Sequence, residues 1–60
     1  MDNYYEFSRI VEEGIEEYGK NVRVWQNSDG KYYCTAPGIA ESGATRIEYE
    51  YDGAIYIPVD

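Results

Sequence analysis

Along the first third of the chain the apolar side chains recur at helical spacing. Tyr4, Phe7, Ile10, Val11, Ile15 and Tyr18 follow an i, i+3, i+4, i+7 pattern, and at about 100° per residue they gather in one arc. Glu6, Arg9, Glu12, Glu13, Glu16 and Glu17 take the opposite arc. This predicts an amphipathic helix over about 3–18. Asp2 or Asn3 supplies the N-terminal cap, and Glu6, three residues after Asn3, completes a capping box. Gly19 gives the left-handed stop, and Lys20 places a cation at the negative end of the dipole. Gly14 inside the helix costs about 1 kcal/mol relative to Ala. It lies beside the buried stripe, which predicts close backbone packing onto a sheet.

After Gly19 the period falls to two and the residues become β-branched and aromatic. Segments over about 21–27 and 31–36 flank Ser28-Asp29-Gly30, a three-residue hairpin loop with Gly at the position that demands a left-handed backbone. Pairing Asn27 with Lys31 sets Val22, Val24, Tyr32, Cys34 and Ala36 on one face, the core face, and Arg23, Trp25, Tyr33 and Thr35 on the other. A loop over 37–44 follows, marked by Pro-Gly and Ser-Gly. Strands over about 45–51 and 54–59 then enclose Asp52-Gly53.

Two signals conflict in that second hairpin. A two-residue Asp-Gly turn pairs Tyr51 with Ala54 and puts Ile55, Ile57 and Val59 with Arg46, Glu48 and Glu50. Pairing Tyr51 with Ile55 instead gathers Ile47, Tyr49, Tyr51, Ile55, Ile57 and Val59 on one face. Burial favours the second register, with a three-residue or bulged turn. Pro58 cannot donate to a ladder and makes the last strand an edge. The whole reads as one α+β domain over 1–60, an N-terminal amphipathic helix packed on a three- or four-stranded antiparallel meander sheet.

Composition sharpens the picture. In 60 residues there are twelve Asp and Glu against five Lys and Arg, a net charge of −7, eight Tyr, one Trp, one Cys and no His. So short a chain holds one small core, and its aromatic content sets it apart from a disordered acidic tail. Tyr serves here as bulk with a wet polar tip. The chain shows neither a basic start with an apolar run, as a secretory signal has, nor an apolar stretch of membrane-spanning length. Cys34 has no disulfide partner in the chain. Together these predict a cytoplasmic protein.

Catalysis and metal binding find little material. Without His there is no ready proton shuttle at neutral pH, and Ser8, Ser28 and Ser42 lack a base or a glycine-rich elbow. One Cys and no His exclude zinc sets, and Asp29 with Asn27 lacks the repeated acids of a calcium loop. The expectation is a non-enzyme without metal or cofactor. Cys34 points inward as a small hydrophobe.

Two surfaces remain as candidates for binding a partner. A pI near 4.3 disfavours direct contact with nucleic acid or anionic lipid and attracts basic surfaces. On the helix, Glu6, Glu12, Glu13, Glu16 and Glu17 stand about 5–6 Å apart at i, i+3 and i+4, a spacing that imitates backbone phosphates. Their mutual repulsion, offset only by Arg9, argues for use; an ordinary solvated face is the other reading. On the sheet face away from the helix, Arg23, Trp25 and Tyr33, with Glu48 and Glu50 alongside and Lys31 and Tyr56 near, are of the types that anchor interfaces. Cross-strand stiffening or a homodimer would use the same residues.

In its character the chain resembles the small acidic proteins that phages and mobile elements encode against host defence, anti-CRISPR proteins among them. The likeness rests on the minimal domain, the strong negative charge, the Glu row from Glu6 to Glu17 and the lack of catalytic residues. Such proteins share no motif or fold, so no residue role carries over. The resemblance implies a stoichiometric blocker of a CRISPR effector or another basic nucleic-acid-binding protein, acting in the host bacterial cytoplasm. A small regulatory subunit, antitoxin-like, that binds one partner through the aromatic sheet face is the alternative class, and a homo-oligomeric structural protein is the third.

Overall fold

The computed structural model describes residues 3–59. Helix α1 (Asn3–Tyr18) is followed by β1 (Arg23–Gln26), β2 (Tyr32–Thr35), β3 (Thr45–Ile47), β4 (Tyr49–Tyr51) and β5 (Tyr56–Pro58). The architecture is α+β: one N-terminal helix, a three-stranded antiparallel sheet in the order β2-β1-β3, and a two-stranded antiparallel ribbon of β4 and β5. The expected cap rests on Asp2 and the Asn3 side chain, which lie outside the described residues.

The helix takes the span that its periodicity predicts, but its buried stripe is displaced from the expected one. Phe7, Val11 and Gly14 are buried and Ile10 and Ile15 half-buried, whereas Tyr4 and Tyr18 at the ends are exposed. Ser8 joins the stripe at 2% exposure. Its hydroxyl is satisfied there: Oγ accepts the Tyr56 N–H at 2.9 Å and donates to Glu12 Oε1 at 3.4 Å. Gly14 sits where expected, against the sheet. A Cβ on it would lie 2.6 Å from Cys34 Sγ, 2.8 Å from Cys34 Cβ and 3.1 Å from a Val22 methyl.

The first hairpin folds in the expected register, with Val24 opposite Cys34 and Trp25 opposite Tyr33. Asn27 N–H donates to Lys31 O at 2.8 Å and Gly30 N–H to Asn27 O at 2.9 Å, with Gly30 at φ 90°. That is the type I turn with a glycine bulge that a three-residue loop requires. The strands are shorter than the sequence suggests, four residues each.

The third strand departs from a plain meander. Ile47 pairs with Val24 and Thr45 with Gln26, so β3 lies on the far side of β1 from β2. The segment over 36–44 must therefore cross β1. Because α1 occupies the inner face, with Phe7 edge-on to Tyr32 at 5.0 Å, the crossing runs over the outer face. An interruption of the strand at Glu48 then separates β3 from β4, where one strand over 45–51 was expected.

The second hairpin adopts neither anticipated register. Tyr51 pairs with Tyr56, Glu50 with Ile57 and Tyr49 with Pro58, which centres the turn on Gly53 and Ala54. Asp52 causes the shift: its Oδ1 accepts both the Ala54 and Ile55 N–H groups at 2.9 Å, its own N–H donates to Ile55 O at 3.1 Å, and Gly53 supplies φ 102°. Tyr56, expected on the outer side, consequently faces inward, and Ile57 lies opposite Glu50. Tyr56 stacks at an angle on Tyr49 and Tyr51, at 5.8 and 4.9 Å, so aromatic packing replaces the aliphatic face read from the sequence. Phe7, Val11 and Val24 form the centre of the core, with Ile15, Tyr32, Cys34, Ile47, Tyr49 and Tyr56 packed around it. β5 pairs with β4 alone, as its proline suggests.

Candidate functional site

The two candidate surfaces fare differently. Glu6, Glu12, Glu13, Glu16 and Glu17 are all exposed, because the helix buries only the opposite arc. Arg9 is the cation among them, and its Nε lies 3.4 Å from Glu13 Oε2, an i, i+4 pair in full solvent. Such a pair neutralises one carboxylate at most. Glu13, Glu16 and Glu17 line an open acidic depression. Glu17 also bears on its neighbour Tyr18, whose phenol it raises by its charge and by a hydrogen bond.

The outer sheet face is built from Arg23, Trp25 and Tyr33 as predicted, but the crossing segment covers it. Trp25 is only 6% exposed, and its indole N–H donates to Thr35 Oγ1 at 2.8 Å. Two hydrogen bonds hold the segment down: Arg23 to Ile39 O at 2.6 Å, and Tyr33 O–H to Glu41 Oε1 at 3.0 Å. Burial, followed by the bond to Glu41 and its charge, raises the Tyr33 phenol above its ordinary range. Glu48 pairs with Arg46 at 3.5 Å, and Glu50 stands on β4, in the other sheet. The structure thus joins Arg23, Trp25 and Tyr33 beneath a strap and leaves Glu48 and Glu50 outside that group.

Cys34 lies under α1, where its thiol donates to Ile10 O at 3.4 Å. Burial first, and the Glu13 charge second, push the thiol up, which keeps it protonated and a poor nucleophile. Among the described residues no three carboxylate, thiol or imidazole side chains are arranged to hold a metal ion, and no helix is long and apolar enough to cross a membrane.

Three contributors escaped the sequence reading. Ile39 and Glu41 carry no periodic signal. Ser8 did carry one: it is four residues after Tyr4 and three before Val11, inside the apolar arc. No family model, curated protein or solved structure matches the chain.

Proposed function

We propose that the protein is a non-enzymatic inhibitor that docks its acidic helix face on the basic, nucleic-acid-binding surface of a protein partner, in the manner of an anti-CRISPR protein acting as a phosphate mimic. One observation carries the reading: five exposed carboxylates share one face of α1, with a single cation to offset them. The alternative aromatic anchor, Trp25, is covered by the chain itself, which weighs against docking through the sheet. A field of this sign speeds encounter with a basic cleft and is weakened by salt.

The test is a pull-down from nuclease-treated bacterial lysate containing CRISPR effectors, eluted along a salt gradient, with the wild type beside a variant carrying Glu13→Gln, Glu16→Gln and Glu17→Gln. A basic nucleic-acid-binding protein, released at moderate salt and held about tenfold or more weakly by the variant, supports the reading. Equal retention by both proteins, or a non-basic partner held through high salt, removes the helix face from the interface.

A further inference from the structure

The hydrogen-bond alternation of the first hairpin leaves one strand edge open. Asn27 and Lys31 form a directly bonded pair, so the bonded pairs farther along are Trp25 with Tyr33 and Arg23 with Thr35. The N–H and C=O groups of Tyr32 and Cys34 therefore point away from β1, and among the described residues β2 has no strand on that side. Sheet edges are normally covered, bulged or blocked. The crossing segment and α1 cover the two faces of β2 and leave its edge free, with Lys31 at its start as the one charged residue of the usual blocking type.

Charge marks what would fit there. The flank of α1 beside β2 is fixed by Ile10, whose carbonyl takes the Cys34 thiol, and by Gly14, which abuts the same side chain. Of the acids on that flank, Glu6, Glu13 and Glu17, the first two bear on the edge. Glu6 borders a groove of about 450 Å³ shared with Ile10, Gln26, Gly30, Lys31 and Tyr32, and the charge of Glu13 is felt at the Cys34 thiol. The two stand two helical turns apart, about 10.5 Å along the axis. Alternate residues of an added strand lie about 6.7 Å apart on one side, a mismatch that long basic side chains span.

We propose that the free edge of β2 takes up an extended basic segment of the protein partner as an added strand, with its alternate Lys or Arg side chains reaching Glu6 and Glu13. This rests on the acidic-face reading above and names the part of the partner it engages. Main-chain bonding supplies affinity in such strand addition and the alternating side chains supply selectivity. A second copy of this chain fits the edge poorly, because edge-to-edge pairing would bring two chains of net charge −7 and their glutamate rows together.

The probe is a blocked octapeptide of alternating Arg and Thr, added to the isotope-labelled full chain at low salt. Its controls are the same peptide N-methylated at alternate amides and a Glu-for-Arg version. Binding should slow hydrogen exchange of the Tyr32 and Cys34 amides by about tenfold, fail with the N-methylated and Glu peptides, and weaken about threefold to tenfold in the Glu6→Gln, Glu13→Gln variant. Equal binding of the N-methylated peptide, with shifts confined to α1, overturns strand addition while sparing the acidic helix as a docking face. Absence of binding even at about millimolar peptide, the weak end of specific association, overturns it as well; the functional reading falls only by the pull-down. Protection of the two amides without peptide, rising with protein concentration, assigns the edge to a second copy instead.

Discussion

Val24 and Trp25 are neighbours on β1 that point to opposite faces, and both are buried, yet what covers them differs in kind. Val24 lies under a regular helix, in contact with Phe7 and Val11, in a packing so close that Gly14 has no room for a methyl group. Trp25 lies under an irregular crossing segment that is tied down by an arginine and a tyrosine at two points. Interdigitated apolar surface resists opening through many small contacts. A strap held by hydrogen bonds opens when those few bonds are lost, and each is worth little net in water. Loss of the strap's ties should therefore open it locally without unfolding the domain, whereas loss of buried packing on either face should lower global stability.

The largest expected effects test whether the two faces are equally deep. Phe7→Ala and Trp25→Ala should each cost about 3–5 kcal/mol, comparable to the entire stability of so small a domain, as read by denaturant melts. A loss for Trp25→Ala far below that for Phe7→Ala would show that the strap shelters the indole without packing against it. Next comes Gly14→Ala. The substitution gains about 1 kcal/mol in helix propensity but forces a Cβ into Cys34 Sγ and Cβ, an overpacking penalty of about 1–3 kcal/mol. A net loss of stability is expected; a gain would mean that the helix can ride outward from β2.

A smaller effect separates the strap from the helix. Tyr33→Phe should leave the melting midpoint nearly unchanged while the emission of Trp25, the sole tryptophan, moves to the red. High pH should act likewise. Because burial and the Glu41 bond raise the Tyr33 phenol in the folded state, its contribution is whole below the free phenol value near 10 and is lost as pH rises through the raised folded value. Equal red shifts in the wild type and in Tyr33→Phe between neutral and alkaline pH would remove the tyrosine from the latch.

The smallest effect belongs to the turn at Asp52. Backbone N–H groups of Ile55 and Ala54 hold this carboxylate below its ordinary range, so its contribution is present above the unfolded value of about 3.9 and lost as pH falls through the lower folded one. Asp52→Asn should reduce stability slightly at neutral pH, and the gap to wild type should close in acid melts. A gap that stays constant as the pH falls through the range where the carboxylate protonates would place the turn's order elsewhere.

What was legible in the sequence follows the same division. The helix, the first hairpin with its three-residue loop, and the close approach at Gly14 rest on local periodicity and turn chemistry, which act within a few residues. The strap was illegible because its ties join Arg23 to Ile39 and Tyr33 to Glu41 through groups that show no period. The second hairpin was misread because the Asp52 side chain captures two amides and recentres the turn, and because tyrosines, with polar tips that find backbone carbonyls, serve as core. Tyr49 illustrates this: its ring packs inward while its hydroxyl donates to Val22 O at 3.1 Å. Of the candidate surfaces, the acidic row was legible because an exposed helix face needs no tertiary partner to be exposed.

The bond from Tyr56 N–H to Ser8 Oγ spans 48 residues and has a consequence in time. Synthesis adds about 5–20 residues per second, so Ser8 is made about 2–10 s before the strand that satisfies it. Until then the Ser8 oxygen has no Tyr56 N–H to accept, and the buried face of α1 lacks that bond. Synthesis of β5, rather than formation of α1, is what supplies the last bond of that buried face.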